Sequence, residues 1–320
     1  MLSRTADHLY WMSRYIERAE NTARMLNVNV ETALLPQSVE QTEQAWRATL
    51  SISELESQFN GKYQQLTQRN LLDFMVRDPD NPSSIFSCLR QARENARAVR
   101  GALTTEVWET HNATWLKLRE LDEHELLTSD AGKFFEWVKY RCHLSRGVIM
   151  GTMLKDEAFH FIRLGTFIER ADNTARILDV KFHGAPDSMN AESRSQEATQ
   201  FDFYYWASIL RSVSGFEIYR KVYRDVITPG RVAELLMLHP AMPRSLVACM
   251  DEVMENLRQV RNEISQDTER FAGRLHADLK FADIDEILEN GLHEYLTDFL
   301  QQVFELGNRI SRDFLVPFAA

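Results

Sequence analysis

Adjacent glutamate and arginine, followed at helical spacing by asparagine and arginine, occur twice in this chain. The first set is Glu17, Arg18, Asn21 and Arg24; the second is Glu169, Arg170, Asn173 and Arg176. A planar guanidinium fork suits carboxylate or phosphate recognition, and a carboxylate beside it is a candidate base if its pKa suits the reaction. Further duplicated arginines, Arg97 and Arg100 in the first half and Arg258 and Arg261 in the second, enlarge the supply of charge. Two readings stand together. One is a pocket for an anionic or zwitterionic group such as a peptide terminus, an amino acid or a phosphate. The other is an interhelical ion-pair network that fixes helix register.

These residues sit in a long repeat. IERAENTAR from Ile16 to Arg24 and IERADNTAR from Ile168 to Arg176 agree at eight of nine positions, 152 residues apart. The match extends back to His8 and His160 and forward to Val28 and Val180. Apolar residues recur at helical spacing in both copies: Met12, Tyr15, Ala19, Ala23 and Leu26, then Leu164, Phe167, Ala171, Ala175 and Leu178. Glu17, Asn21 and Arg24 lie on the opposite stripe. An exposed stripe is free to drift, yet this one agrees between copies, so both faces are expected to be buried. Buried Arg and Glu must then be paired. Glu17 or Glu169 is expected to meet Arg176 or Arg24 of the other half.

A second match, NPSSIFSCLRQARENARAVR from Asn81 against MPRSLVACMDEVMENLRQVR from Met242, lies at an offset of 161. It pairs Ser84 with Ser245, Cys88 with Cys249 and Asn95 with Asn256. The organisation expected is one helical domain over 1–320, made of repeats of roughly 1–152 and 153–320 with pseudo-two-fold symmetry. Ser3 is expected to cap a first helix running to about Leu35 before Pro36. Ser38 opens a second helix by the capping-box pattern, with Trp46, Leu50 and Leu55 inside and Asn60-Gly61 at its end. Shorter helices follow around Leu71, Leu72 and Phe74 and from about Ser83. Another, carrying Trp108, Trp115 and Leu118, lies between Thr104 and Leu127, and Asp130 caps the next. The polar stretch from His183 to Glu197 reads as a surface loop. Thr228-Pro229 starts a helix, and Asp283 opens a last one with Ile284, Leu288, Leu292, Tyr295, Phe299, Val303 and Phe304 on its apolar side. The fold class is all-α, a helical bundle.

Other chemistries lack their signatures. A di-metal bundle needs Glu-x-x-His on two helices, and only Glu157 to His160 fits, with Thr5 opposite Glu157 in the other copy. No metal or other cofactor is expected. His8 and His160, on apolar faces, read as satisfied core residues. Cys142 and His143 are neighbours and point about 100° apart on a helix, so they make no catalytic couple. P-loop, GxGxxG, HExxH and GxSxG elements are all missing.

Composition narrows the class further. A net charge of −10 disfavours a nucleic-acid partner, and 44% apolar residues suffice for a large core. Scarce Gly and Pro favour helix throughout. Three cysteines without CxxC, no secretory signal and no apolar run approaching roughly 18 residues give the expectation of a cytoplasmic protein with no membrane span.

MLSRTADHLYWMSRYIERAENTAR at the start, LGTFIERADNTARILDV in the middle and ADIDEILENGLHEYLTDFL near the end resemble the Alpha-E family, bacterial helical domains named for a Glu-Arg motif. The resemblance covers essentially the whole chain, and the family's Glu-Arg pair falls on Glu17-Arg18 and Glu169-Arg170. It implies association with a circularly permuted ATP-grasp protein resembling amide-bond ligases, often beside a transglutaminase-like peptidase. The expected function is a partner or accessory subunit of such a peptide or amide ligase, contributing substrate binding or assembly. The alternatives are an independent enzyme acting on peptide or amide bonds at the Glu-Arg centre, and a structural adaptor.

Overall fold

A computed structural model describes residues 1–34, 38–121, 131–183 and 196–315. Among them the regular structure is helical, without strands. The first half comprises α1 (Ser3–Thr32), α2 (Val39–Ile52), α3 (Glu56–Lys62), α4 (Gln68–Leu72) with a π-helical turn at Asp73–Arg77, α5 (Ile85–Ala98), α6 (Thr105–Glu120) and α7 (Ala131–Thr152). The second comprises α8 (Glu157–His183), α9 (Gln196–Ser212), α10 (Phe216–Tyr223), α11 (Pro229–Met237), α12 (Leu246–Gln259), α13 (Gln266–Lys280), α14 (Ile284–Asn290) and α15 (Leu292–Phe314).

The two helices of the long repeat, α1 and α8, pack directly on each other. Around them α1 carries α5 and α7, while α8 carries α12 and α15. Each also reaches across, α1 to α9 and α8 to α2. Burial of Ala19, Ala23, Leu26, Leu164, Ala171, Ala175 and Leu178 at full depth confirms the apolar stripe. At Gly165 the helices are in close contact: a Cβ there would lie 2.2 Å from the Tyr10 carbonyl oxygen and 2.3 Å from Ser13 Oγ.

Local contacts recur in matched pairs. His8 Nδ1 lies 2.7 Å from Asn95 Oδ1 and His160 Nδ1 lies 2.8 Å from Asn256 Oδ1, so both histidines are satisfied structural residues. Ser84 caps α5 by accepting from the Ser87 amide at 3.1 Å, and Ser245 caps α12 by accepting from the Ala248 amide at 3.1 Å. Each serine hydroxyl also donates backwards at 2.8 Å, to the carbonyls of Asp78 and His239. Glu54 and Ser214, just past α2 and α9, adopt left-handed φ values of 56° and 54°.

Several expected boundaries shift. The N-cap of α1 is Leu2, and Ser3 is already helical without a capping bond. The Ser38 capping box is present, but α2 ends at Ile52, and Asn60 and Gly61 lie inside α3 because the left-handed turn at Glu54 breaks the chain earlier. The last helix is two: Gly291, at φ 110°, bends the chain between α14 and α15. Phe304, expected inside, is 70% exposed. Pro36, Asp130 and most of the polar stretch 183–197 lie outside the described residues. No helix among the described residues is long and apolar enough to cross a membrane.

A buried histidine also makes a testable contribution. His111 sits inside, 3.2 Å from Ser145 Oγ, and burial, with the charge of Arg141 adding, pushes it down to about 4. Below pH about 6.5 the unfolded chain takes up a proton at this position that the folded chain refuses until about 4. Stability therefore falls across that window by about 3 kcal/mol and levels off below it. Melting temperature followed from pH 7 to 4 is expected to drop less in His111→Gln than in wild type; parallel curves would refute the assignment.

Candidate functional site

The doubled Glu-Arg motif forms a polar centre at the α1–α8 crossing, and its pairing is reciprocal. Arg170 grips Glu17 with two bonds, of 2.9 and 3.0 Å. Arg18 grips Glu169 with two bonds, of 2.6 and 3.0 Å. Each carboxylate is thus held by the arginine that follows the other one in sequence. This corrects the expectation that Arg24 and Arg176 would make the crossing pairs. Those two instead bind the acid one turn back on their own helix: Arg24 to Glu20 at 2.9 and 2.6 Å, Arg176 to Asp172 at 2.9 and 3.1 Å. Their remaining nitrogens reach the other half at its left-handed residues, Arg24 to Ser214 and Arg176 to Glu54 at 2.5 Å.

Three further arginines complete the centre. Arg14 donates to Glu169 at 2.8 Å. Arg146, on α7, donates to Glu17 at 3.0 Å and pairs with Glu20. Arg244, just before the α12 cap, donates to Glu17 and Asn21 at 2.9 Å and to Glu20 at 2.7 Å. Sequence comparison missed Arg14, Glu20, Arg146, Asp172 and Arg244 because it sought positions alike in both copies. At the same offsets stand Thr166 for Arg14, Gly307 for Arg146 and Ser83 for Arg244.

The outer arginines do not join this centre. Arg97 and Arg258 are each 64% exposed and pair along their own helices with Glu94 and Glu255. Arg261 lies at the surface beside Glu269, and Arg100 covers the ring of Trp108 at 5.3 Å. Arg97 and Arg258 follow the amphipathic pattern of α5 and α12, whose inner faces are apolar, and Arg100 and Arg261 lie just past the ends of those helices.

Burial raises the Glu17 carboxyl, but Arg170 and Arg244, with Arg146, overturn that and hold it at about 2. For Glu169 burial is likewise outweighed by Arg18 and Arg14, which hold it at about 2. Glu20 is held well below the usual range by Arg244, His143, Arg146 and Arg24 against its burial. These are permanently ionised acceptors near neutral pH. Cys88 and Cys249 are buried and pushed up to about 12 by that burial, and Cys142 is raised as well, so none is poised as a thiolate. Among the described residues no group of three or more His, Cys, Asp or Glu is placed to hold a metal ion.

Beside the α8 carboxylates a cavity of about 220 Å³ opens, lined by Arg18, Asn21, Ser83, Glu169, Asp172, Asn173 and Arg176, with Glu54 at its margin. The stripe on α1 is thereby buried as expected, whereas Asp172, Asn173 and Arg176 on α8 remain partly open.

The Alpha-E family, described as a predicted alpha-helical domain with a conserved ER motif, matches residues 1–315. The chain belongs to the Alpha-E family. Among curated proteins it is similar to an uncharacterized protein of Mycobacterium bovis and to uncharacterized proteins of two Mycobacterium tuberculosis strains. Each is 24% identical over 325 aligned positions, covering 93% of this chain and 35% of the relative. This Alpha-E chain therefore spans about a third of the length of the curated relatives it matches. No solved structure matches it.

Proposed function

We propose that this Alpha-E protein is a cytoplasmic partner or accessory subunit of an ATP-grasp peptide or amide ligase system, binding substrate or organising assembly through its paired Glu-Arg centre. The Glu-Arg motif of the family is read as Glu17-Arg18 and Glu169-Arg170, and the two halves as an internal duplication with pseudo-two-fold symmetry. The resemblance supplies the partner and its neighbouring transglutaminase-like peptidase. The observation that carries the binding role is the cavity beside Glu169, with charged and amide side chains already oriented by the ion pairs behind them.

The independent-enzyme reading is less well supported. A carboxylate held at about 2 is a weak base at neutral pH, and general-base efficiency is greatest when the pKa lies near the working pH. Fixed, ionised carboxylates are better suited to holding a ligand. The greater length of the mycobacterial relatives supports a unit that works beside other protein segments.

The test is co-purification with a circularly permuted ATP-grasp protein of the kind the resemblance implies, followed by ATP and amino-acid turnover with each protein alone and together. The expected result is association, no ATP hydrolysis by the Alpha-E chain alone, and amide formation above that of the ligase alone. Arg18→Ala or Arg170→Ala should remove the increment. Absence of association at micromolar concentrations, with unchanged ligase turnover, would overturn the proposal.

A further inference from the structure

The two polar sites at the crossing are built from corresponding residues, but one is filled from within and the other is open. On α1, the Arg244 guanidinium is held by Glu17, Glu20 and Asn21 Oδ1. On α8 the corresponding residues are Glu169, Asp172 and Asn173, and all three line the 220 Å³ cavity. Ser83 stands where Arg244 would be, and it lines the same cavity.

The backbone that would deliver such a side chain is the same in both places. Ser84 and Ser245, the next residues, make the same cap bond forwards and the same hydroxyl bond backwards. Their amides bond to the carbonyls three residues earlier, Asn81 and Met242, at 3.1 and 3.0 Å. The open site therefore keeps the backbone that would carry such an arginine but lacks its side chain; Arg14 on Glu169 and Arg146 on Glu17 and Glu20 are the further differences between the two sites.

Two buried polar atoms are left without partners there. Asn173 Oδ1, the counterpart of the atom that accepts from Arg244, has none. Asn21 is only 6% exposed, and while its Oδ1 holds Arg244, its Nδ2 has no partner although the residue lines the cavity. A buried polar atom left unbonded has lost its water without a replacement, so a ligand that bonds it gains affinity. The charge balance points the same way. Around α1, the two carboxylates of Glu17 and Glu20 face the four guanidiniums of Arg24, Arg146, Arg170 and Arg244. Around α8, the three carboxylates of Glu54, Glu169 and Asp172 face only the three of Arg14, Arg18 and Arg176.

We propose that the cavity at α8 binds a guanidinium group, that of an arginine residue or arginine derivative, in the place that Arg244 fills at α1. Glu169, Asp172 and Asn173 Oδ1 accept from the guanidinium, and Asn21 Nδ2 donates to an acceptor elsewhere on the ligand. A neighbouring hollow of about 410 Å³, which shares Glu54 and Arg176 with the cavity, gives room for the remainder of the ligand. The proposal deepens the substrate-binding part of the reading above and rests on it, but makes no use of the ATP-grasp partner.

Isothermal titration of the full chain with L-argininamide, and with its neutral isostere L-citrullinamide, tests this. Argininamide is expected to bind and citrullinamide to bind at least tenfold more weakly. Ser83→Arg is expected to fill the cavity from within, weakening argininamide at least tenfold and raising the melting temperature. If Ser83→Arg does not fold, Asn173→Leu, which removes the acceptor, is expected to weaken binding at least tenfold. Equal affinity for the two amides, no binding at millimolar argininamide, retained affinity in the variants, or binding of phosphate or acetate that argininamide does not displace would each overturn the proposal. The titration needs no ligase, so its failure is distinguishable from failure of the association experiment.

Discussion

Glu17→Gln is expected to destabilise the protein by about 3–5 kcal/mol, the range for breaking a buried ion pair by removing one partner. Glu17 is 1% exposed and accepts from Arg170, Arg146 and Arg244, so the substitution leaves Arg170 without its carboxylate partner and Arg146 and Arg244 with Glu20 alone. The amide also presents N–H donors where only donors face it. Glu43→Gln is the matched control, because Glu43 and its partner Arg47 are 50% and 56% exposed and solvent screens that pair. It should change stability by less than about 0.5 kcal/mol. Urea unfolding of both variants measures the contrast, and similar midpoints would refute the buried network. Acid should act through the same groups. Depressed carboxylates contribute stability that is intact above pH about 4.5 and is lost as pH falls toward about 2.

The second large effect is expected at Gly165→Ala. On helix propensity alone the change would stabilise by about 1 kcal/mol. Here the added methyl would meet the Tyr10 carbonyl oxygen at 2.2 Å and its carbon at 3.1 Å, backbone atoms of α1 that cannot rotate away. The helices must separate, and the Glu17–Arg170 and Glu169–Arg18 pairs span the same crossing. A loss of about 3 kcal/mol, the upper end for overpacking, is expected. Gly147→Ala in α7, where a Cβ meets nothing within 4 Å, should instead stabilise by up to about 1 kcal/mol. Opposite signs in parallel melts support the close crossing; equal signs would contradict it.

The helical class, the contact between α1 and α8 and the burial of the stripe on α1 were legible in the sequence, because helical periodicity and an undrifted polar stripe are local signals; the partial opening of Asp172, Asn173 and Arg176 on α8 was not. The pairing itself was not. Helical spacing places Glu17 and Arg24 on one stripe but does not say which arginine crosses the interface, and Arg18 and Arg170 proved to have the reach. The repeat also directed attention to sameness. Arg97, Arg100, Arg258 and Arg261 match between copies because they solvate equivalent outer faces. Arg14, Arg146 and Arg244 have no counterparts, yet they distinguish a filled site from an open one. Gly165 carried a faint signal, a glycine inside a helical pattern opposite Ser13, but its meaning depends on a neighbour 152 residues away.

A double-mutant cycle tests most directly whether each glutamate is held by the arginine of the other copy. Unfolding free energies of Glu17→Gln, Arg170→Gln and the pair should give a coupling of about 1–3 kcal/mol, while Glu17→Gln with Arg18→Gln should give less than about 0.5 kcal/mol. A cycle in which Glu17 couples to its sequence neighbour Arg18 and not to Arg170 would contradict the reciprocal crossing.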